Sequence, residues 1–512
     1  VNDEQHEQMV GRLADHLQDF HRARAKIIAT HISRIILCGD YAFKLKRPVK
    51  LPFVDFSTLE KRHFFCLEEL RVNQQTAPDL YLSVQTITGT LEQPRIDGHG
   101  PLLDYVVVMN RFEDGALLSE RLASGRLDQR DIDGLAQSLA TTHTSALVAS
   151  EKTLIDCTPT INWLNECLRE IADSEFGPQA IDFEMVQQWV VAEHKKVKAL
   201  DQIRRANGFY RECHGDLHLA NIVRVKDRIM AFDALEFESS LRLIDIINDV
   251  AFPFMDLLAH HQGSLAWRLI NSWCEKTGDY AGLATLNFYT LYRALVRAKV
   301  AALSADETKF ERYWRLTRAL CQPEKSVIFA GSKPKVIVVC GLSGSGKSTV
   351  AQRMLEQLGA IRLRADVERK RLFATALNQP AALYSDEANQ KTYDRLFELA
   401  DYLHSIGLHV IVDATFVDQA RVDQFTAYFS HLAGQTCQIV LCQAPIEAMR
   451  SRIITRQSHA QDPSDATPAI LDQQVARQSK KAMQWLFTLH RLDNDGSIAD
   501  LELKTDRLVT SI

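Results

Sequence analysis

From about residue 335 onward, short β-branched runs alternate with longer stretches of helical spacing. Val336–Cys340, Ala360–Leu363, His409–Asp413 and Cys437–Cys442 are the apolar-rich runs, and helix-patterned segments separate them. Near-continuous apolar strands divided by helices predict an α/β unit with a parallel sheet flanked by helices. Residues before 325 read differently. An amphipathic opening helix carries Met9, Leu13, Leu17 and Phe20, and strands near 34–38 and 42–46 are joined by Gly39-Asp40, which suits a tight hairpin turn. A helix near 58–75, strands near 81–87 and 104–109, and mostly helix after 118 follow. Strand-rich first and helix-rich later predicts a two-lobed α+β unit over 1–325, with a small lobe of about 1–109 and a helical lobe of about 110–325. The Pro and Gly residues around 323–334 predict a linker at 326–334, leaving 335–512 as the second unit.

Composition narrows the class. At 512 residues the chain is too long for one ordinary core. Its 46% hydrophobic and 24% charged content is ordinary for a soluble protein, and a net charge of −5 lacks the footprint of a general nucleic-acid binder. The ten cysteines form no C-x-x-C pair, so neither a disulfide framework nor a zinc site is expected. The first residues are polar and acidic, unlike a secretory signal, and no apolar run approaches the ~20 residues of a membrane helix. A cytoplasmic protein without membrane association is the expectation.

The most specific chemistry is at Gly341-Leu342-Ser343-Gly344-Ser345-Gly346-Lys347-Ser348, a complete G-x-x-x-x-G-K-S followed by Thr349. It sits between an apolar strand and a helix. Its glycines let backbone N–H groups turn around a polyphosphate at a helix N-terminus, Lys347 reaches the β/γ-phosphates and Ser348 ligates Mg²⁺. ATP and Mg are therefore the expected cofactors. Beyond it, Asp366 ends one strand and Asp413 another, and ligands of open α/β sheets bind at such strand ends. Asp366 is placed to act on an acceptor hydroxyl, with Arg369 or Lys370 holding an anionic acceptor. Asp413 is the Walker-B-like acid.

A second constellation lies upstream. His214-Gly215-Asp216-Leu217-His218-Leu219-Ala220-Asn221 has the spacing H-x-D-x-x-x-x-N, and the strand Ile229–Phe232 delivers Asp233. Phosphoryl transfer needs a carboxylate to orient the attacking hydroxyl, here Asp216, and metal ligands, here Asn221 and Asp233. It also needs a strand lysine paired with a helix glutamate. Lys44 and Lys46 share a strand face, and Glu68 and Glu69 lie on the following helix; Lys44 and Glu69 are favoured.

On Gly39–Pro48, Phe53–Arg62, His214–Asn221 and Asp233, residues 1–325 resemble the aminoglycoside phosphotransferase-like branch of the protein-kinase-like fold. The resemblance implies a bilobal domain that binds ATP between its lobes, with the strand Val106–Met109 leading into an inter-lobe hinge, and that phosphorylates a hydroxyl. A departure is the lack of a G-x-G-x-x-G between the first two strands. On Gly341–Thr349, Arg364-Ala365-Asp366, Val412-Asp413-Ala414-Thr415 and the arginines after Ala444-Pro445, residues 335–512 resemble P-loop kinases of the gluconate-kinase, zeta-toxin and polynucleotide-kinase type. That resemblance implies lid arginines, for which Arg452 and Arg456 share a helix face. The whole chain resembles bacterial two-domain proteins that join two such units.

The expected function is a tandem kinase, transferring a γ-phosphoryl group to hydroxyl acceptors at two sites. Two alternatives remain: a P-loop unit that is alone active while the first unit recruits substrate or regulates, and a nucleotide-gated stress or toxin-type switch. Small molecules are the leading acceptors, and a nucleotide, an RNA end or a protein hydroxyl stays open.

Overall fold

The computed structural model describes residues 2–51, 54–155, 159–177, 180–322, 333–376, 383–432, 436–457, 466–477 and 484–512. They pack into two compact units, 1–169 with 198–256, and 170–197 with 257–512. The expected linker at 326–334 lies largely outside the described residues. The packing groups the helices from 257 to 320 with the P-loop sheet, whereas the sequence placed them with the segment carrying His214.

In the first unit a six-stranded antiparallel sheet runs in the order Lys26–Ala29, Ser33–Cys38, Tyr41–Lys46, Leu102–Asn110, Tyr81–Gly89, Pro94–Ile96. Alternation along Tyr41–Lys46 sends Phe43 and Leu45 to one face, where the opening helix Asp3–His21 packs Met9, Leu13 and Leu17 into the same core. Lys44 and Lys46 go to the other face, toward the helix Leu59–Asn73. The strand Lys26–Ala29 is an addition to the expected elements. All four of its residues are exposed, so it carries no alternation to read. Its presence makes the Lys44 strand the third of the sheet. The turn between the first two strands is Thr30-His31-Ile32, without glycine, and Gly39-Asp40 joins the second to the third. Further on, the antiparallel hairpin of Ile222–Val225 and Arg228–Ala231 follows the H-x-D-x-x-x-x-N segment.

The second unit holds a five-stranded sheet in the order Ala360–Arg364, His409–Asp413, Val336–Cys340, Cys437–Gln443, Thr488–Asp493, all parallel. The first four strands coincide with the apolar runs. The fifth is polar, as an edge strand with a solvated face can be, and hydropathy missed it. The opposite edge, Ala360–Arg364, is covered. The helix Gly263–Thr277 lays Asn271 along it, donating from Nδ2 to the Ala360 carbonyl at 2.8 Å and accepting from the Arg362 N–H at 2.7 Å. One side-chain amide thus replaces a neighbouring strand. Trp267 packs under the left-handed Gly359, where a Cβ would fall 2.6 Å from the indole nitrogen.

Each unit buries a histidine in its neutral form. Burial lowers His6 to about 4 and His409 to about 4, the latter accepting from the Lys335 N–H through Nδ1. An unfolded histidine takes up its proton below about 6.5, and these two do not until near 4. Stability therefore falls as pH drops through that window, by ~2 kcal/mol per histidine at pH 5. Thermal unfolding at pH 7 and pH 5 should show the loss, and His409→Asn, which keeps an acceptor for the Lys335 N–H, should narrow it. An unchanged difference would mean that His409 does not drive it.

Candidate active sites

In the first unit, two lysines share one glutamate. Glu69 ion-pairs with Lys44 Nζ at 2.7 Å and accepts from Lys46 Nζ at 2.7 Å, and it is fully buried. Lys44 also reaches Asp233 at 2.5 Å, and Lys46 pairs with Glu236. Glu68 faces away and pairs with Arg71 and Arg242. The geometry thus separates the two lysines: only Lys44 joins Glu69 to Asp233. Burial opposes the charge on Lys44, but the carboxylates of Asp233 and Glu69 outweigh it and hold the lysine well above its usual value. Burial likewise opposes ionisation of Glu69, and the two ammonium groups overcome it, lowering Glu69 to about 2. Asn73, one turn after Glu69, accepts from the Ala234 N–H at 2.9 Å and fixes the chain just past Asp233.

The triplet converges on the same place. Asn221 Nδ2 donates to the Asp216 carboxylate at 3.1 Å and to its carbonyl at 2.9 Å. Across the hairpin, the Phe232 N–H donates to the Asn221 carbonyl at 2.9 Å, so Asn221 and Asp233 stand at neighbouring strand ends. Asp233 takes φ +62°, a left-handed conformation uncommon for Asp, which turns it out of the strand. His214 donates from Nε2 to the Phe232 carbonyl at 2.9 Å and accepts from the Asp216 N–H at 3.3 Å; burial lowers its pKa and keeps it neutral in this tautomer. Asp249 receives the His214 and Gly215 N–H groups at 3.2 and 2.9 Å and His143 at 3.1 Å. Gly215 is required here: φ is +85°, and a Cβ would meet the Leu241 carbonyl at 2.6 Å. Asp245 pairs with Arg204, and Asp256 accepts from the Leu219 N–H. Asp249 and Asp256 thus hold the loop in place. Glu236 and Asn73 were missed by the sequence reading, since neither belongs to a spaced motif.

In the second unit the phosphate loop leaves its strand at Gly341 and enters the helix Lys347–Leu358. Gly341, Gly344 and Gly346 have φ of +144°, +82° and +93°. The loop wraps a cavity of about 850 Å³ into which Ser343, Lys347 and Ser348 project, with Arg364, Asp366, Arg369, Lys370, Asp413 and Arg421 around it. Asp413 is buried, and neither carboxylate oxygen has a hydrogen-bond partner; Arg364 approaches only to 3.8 Å. A buried carboxylate in that state costs several kcal/mol unless a cation joins it, so Asp413 and Ser348 fit a divalent metal, and the glycine cradle fits a triphosphate. Asp366 accepts from Arg369 at 3.1 Å, and Arg369 also donates to Asn389 at 3.0 Å. Arg369 stacks over Tyr384, and Arg421 over Tyr393.

One expected position needs correction. Arg452 is not among the residues around the cavity. It donates to the Gly344 carbonyl at 3.4 Å and to Asn494 at 3.2 Å, while Asn494 Nδ2 donates to the Ser345 carbonyl at 2.9 Å, so Arg452 braces the loop from behind. The side chain of Arg456 lies outside the described residues. The helix Pro468–Arg477 brings a cation to the cavity instead: Gln474 accepts from the Ser343 N–H at 2.9 Å, and Arg477 lines the cavity one turn later. Thr349 is exposed and is not among the residues around the cavity.

Residues 336–480 match the AAA domain family AAA_33. A Mycobacterium tuberculosis (strain ATCC 25618 / H37Rv) protein, "Uncharacterized protein Rv2004c", is 30% identical over 485 residues, covering 91% of this chain and 92% of its own length. The chain belongs to its family. "Uncharacterized protein Mb2027c" of Mycobacterium bovis, at the same identity and coverage, is similar as well. Among solved structures, a choline/ethanolamine kinase family protein from Mesorhizobium loti covers 62% of this chain and 96% of its own, at 12% identity and a TM-score of 0.38. A sugar kinase from Janibacter sp. HTCC2649 covers 35% of this chain and 93% of its own, at 19% identity and a TM-score of 0.28. The AAA_33 match spans the strand, phosphate loop and most of the cavity lining of the second unit. No helix among the described residues is long and apolar enough to cross a membrane.

Proposed function

We propose that the chain is a tandem kinase with two ATP- and Mg-dependent sites, each passing a γ-phosphoryl group to a hydroxyl acceptor. The observation that carries this reading is that each unit holds a full set of phosphoryl-transfer parts. The first has Lys44, Glu69 and Asp233 in one ion-paired line, with Asp216 and Asn221 bonded beside it. The second has the glycine cradle, Lys347 and an unpartnered buried Asp413 around one cavity.

Magnesium, when bound, supplies charge neutralisation of the triphosphate. Asn221 and Asp233 would hold it in the first unit, Ser348 and Asp413 in the second. In the first unit Lys44, oriented by Glu69, grips the α/β-phosphates, and Asp216 takes the acceptor's hydroxyl proton. In the second, Lys347 grips the β/γ-phosphates, Asp366 orients the acceptor hydroxyl, and Arg477 faces the developing charge. Arg369, Lys370 and Arg421 around the cavity suit an acceptor that carries an acid group.

The test uses γ-labelled ATP, a panel of hydroxyl acceptors, and the single variants Lys347→Ala and Asp216→Ala. Each should abolish transfer to a different acceptor and leave the other transfer in place. The glycine-free turn at Thr30-His31-Ile32 favours a second reading, in which the first unit recruits substrate for the P-loop site. Under it, Lys347→Ala removes all transfer and Asp216→Ala removes none. ATP hydrolysis with no labelled acceptor across the panel would sink both readings and point to a nucleotide-gated switch.

A further inference from the structure

Arg369 and Arg421, two cations around the P-loop cavity, are held in opposite ways. Arg369 is ion-paired with Asp366 at 3.1 Å. No carboxylate among the described residues pairs with Arg421. Its Nη1 donates instead to two neutral amide oxygens, Gln390 Oε1 and Gln424 Oε1, both at 2.7 Å. The two glutamines belong to different helices, Asp386–Ser405 and Gln419–Phe429, yet one atom orients both. Asp394 Oδ1 accepts from Gln390 Nε2 and from Gln424 Nε2, each at 2.8 Å. An amide whose nitrogen is turned to a carboxylate presents its oxygen on the other side, so Asp394 aims two acceptors at Arg421. It supplies a counter-charge one amide away and makes no ion pair with the guanidinium. Asp418 takes the Arg421 backbone N–H at 3.0 Å, and Asp423 takes the Gln419 amide at 2.8 Å, so these nearby acids are engaged elsewhere.

A guanidinium carries five N–H donors, and Nη1 spends two of them on the glutamines. Nε and Nη2 have no hydrogen-bond partner among the described residues. Together they form an edge that can take two oxygens of one carboxylate or phosphate side by side. The guanidinium also lies over the Tyr393 ring at 4.9 Å, which fixes its plane before a ligand arrives. Tyr393 Oη accepts from the Phe416 N–H at 3.3 Å, so the assembly is tied to the segment that follows Asp413. Both Tyr393 and Arg421 line the cavity.

We propose that Arg421 is the specificity-determining residue of the P-loop acceptor site: its open Nε–Nη2 edge takes the carboxylate or phosphate of the acceptor. Asp394, acting through Gln390 and Gln424, is the positioning residue that keeps this edge fixed and unoccupied. The proposal rests on the reading of this cavity as the site of a P-loop kinase. A neutral polyol would leave the open donors of Arg421 without a charged partner, so a hydroxyl acceptor with an acid group is selected over its neutral counterpart.

The experiment follows phenylglyoxal modification of Arg421 in the full chain by peptide mass spectrometry, with the phosphate loop filled by a non-hydrolysable ATP analogue and Mg²⁺. Inorganic phosphate and D-gluconate are the anionic probes, and sorbitol is the neutral one. Arg421 should be modified in the presence of the nucleotide alone, and at least one anion should protect it while sorbitol does not. Protection by gluconate assigns a carboxylate acceptor, and protection by phosphate alone assigns a phosphorylated one. Asp394→Leu frees both glutamine amides to turn and should raise the protecting concentration about tenfold, as for the loss of a pre-set charged fork. If Asp394→Leu does not fold, the exposed Gln390→Leu decides, and it should raise that concentration in the same direction. A helix-to-helix tie with only a structural role would lower thermal stability and leave protection where it was, which overturns the proposal. So does an Arg421 that is unreactive without an anion, or one that sorbitol protects as well as the anions do, or one that neither anion protects. Full protection by the ATP analogue alone would place Arg421 on the nucleotide and overturn the acceptor assignment, with the P-loop kinase reading left standing. Nucleotide binding that Lys347→Ala does not change would overturn that reading, and the proposal with it.

Discussion

Lys46→Met should cost the first unit about 3–5 kcal/mol, because it leaves a buried carboxylate without its partner. Lys46 is the fully buried member of the lysine pair, and its ammonium lies between Glu69 and Glu236. Glu69 keeps Lys44 after the substitution. Glu236 does not: Lys46 is the ion-pair partner seen for it among the described residues, and burial already pushes its carboxyl above the usual range. Denaturant unfolding would measure the loss. The double variant Lys46→Met/Glu236→Leu should recover most of it, since an apolar pair of similar volume replaces a buried ion pair at little net cost. The pH dependence has a defined sign. In Lys46→Met the folded carboxyl of Glu236 has a raised pKa, so the deficit is full at neutral pH and shrinks as pH falls and the acid is protonated. A single-variant loss below about 1 kcal/mol would mean that water reaches Glu236 and the cluster is not dry.

Gly341→Ala should abolish nucleotide binding at the P-loop and destabilise the second unit by about 3–5 kcal/mol, combining backbone strain with a steric clash. At φ +144° the residue occupies a region that side chains rarely adopt, and an added Cβ would clash with the Cys442 carbonyl oxygen. That oxygen belongs to the strand Cys437–Gln443, which is held between Val336–Cys340 and Thr488–Asp493, and it has nowhere to retreat. The comparison is Gly346→Ala, where the added Cβ meets the side-chain amide of Asn494. A side chain can move, so Gly346→Ala should lose less stability and should be partly rescued by Asn494→Ala. Thermal unfolding together with titration of a fluorescent ATP analogue would rank the variants. Equal losses in both would locate the damage in φ alone and not in the wall behind the loop.

Elements with a clear period were legible in the chain. The four apolar parallel strands and the Lys44 strand were readable because burial imposes a pattern on them. Lys26–Ala29 and Thr488–Asp493 were not, because edge strands with exposed faces carry no such pattern. Candidate site residues held together by local spacing, such as Asp216 with Asn221 or the phosphate loop, could be picked out from the sequence. Those that depend on folding together distant segments could not: Glu236 under Lys46, Gln474 on Ser343, Asn494 behind the loop. The misplacement of Arg452 has the same origin. Helical spacing gave it a face, but not whether that face meets the cavity or the back of the phosphate loop.

The amide of Asn271 standing in for a missing strand has a practical consequence. A fragment beginning at residue 335 would contain every P-loop residue and yet present Ala360–Arg364 as a bare β-edge with unpaired backbone groups, with Gly359 stripped of its tryptophan floor. Such an edge pairs with copies of itself. Anyone dividing this gene to study its halves should expect insoluble material from that cut, and a well-folded P-loop piece only from one that starts ahead of Gly263.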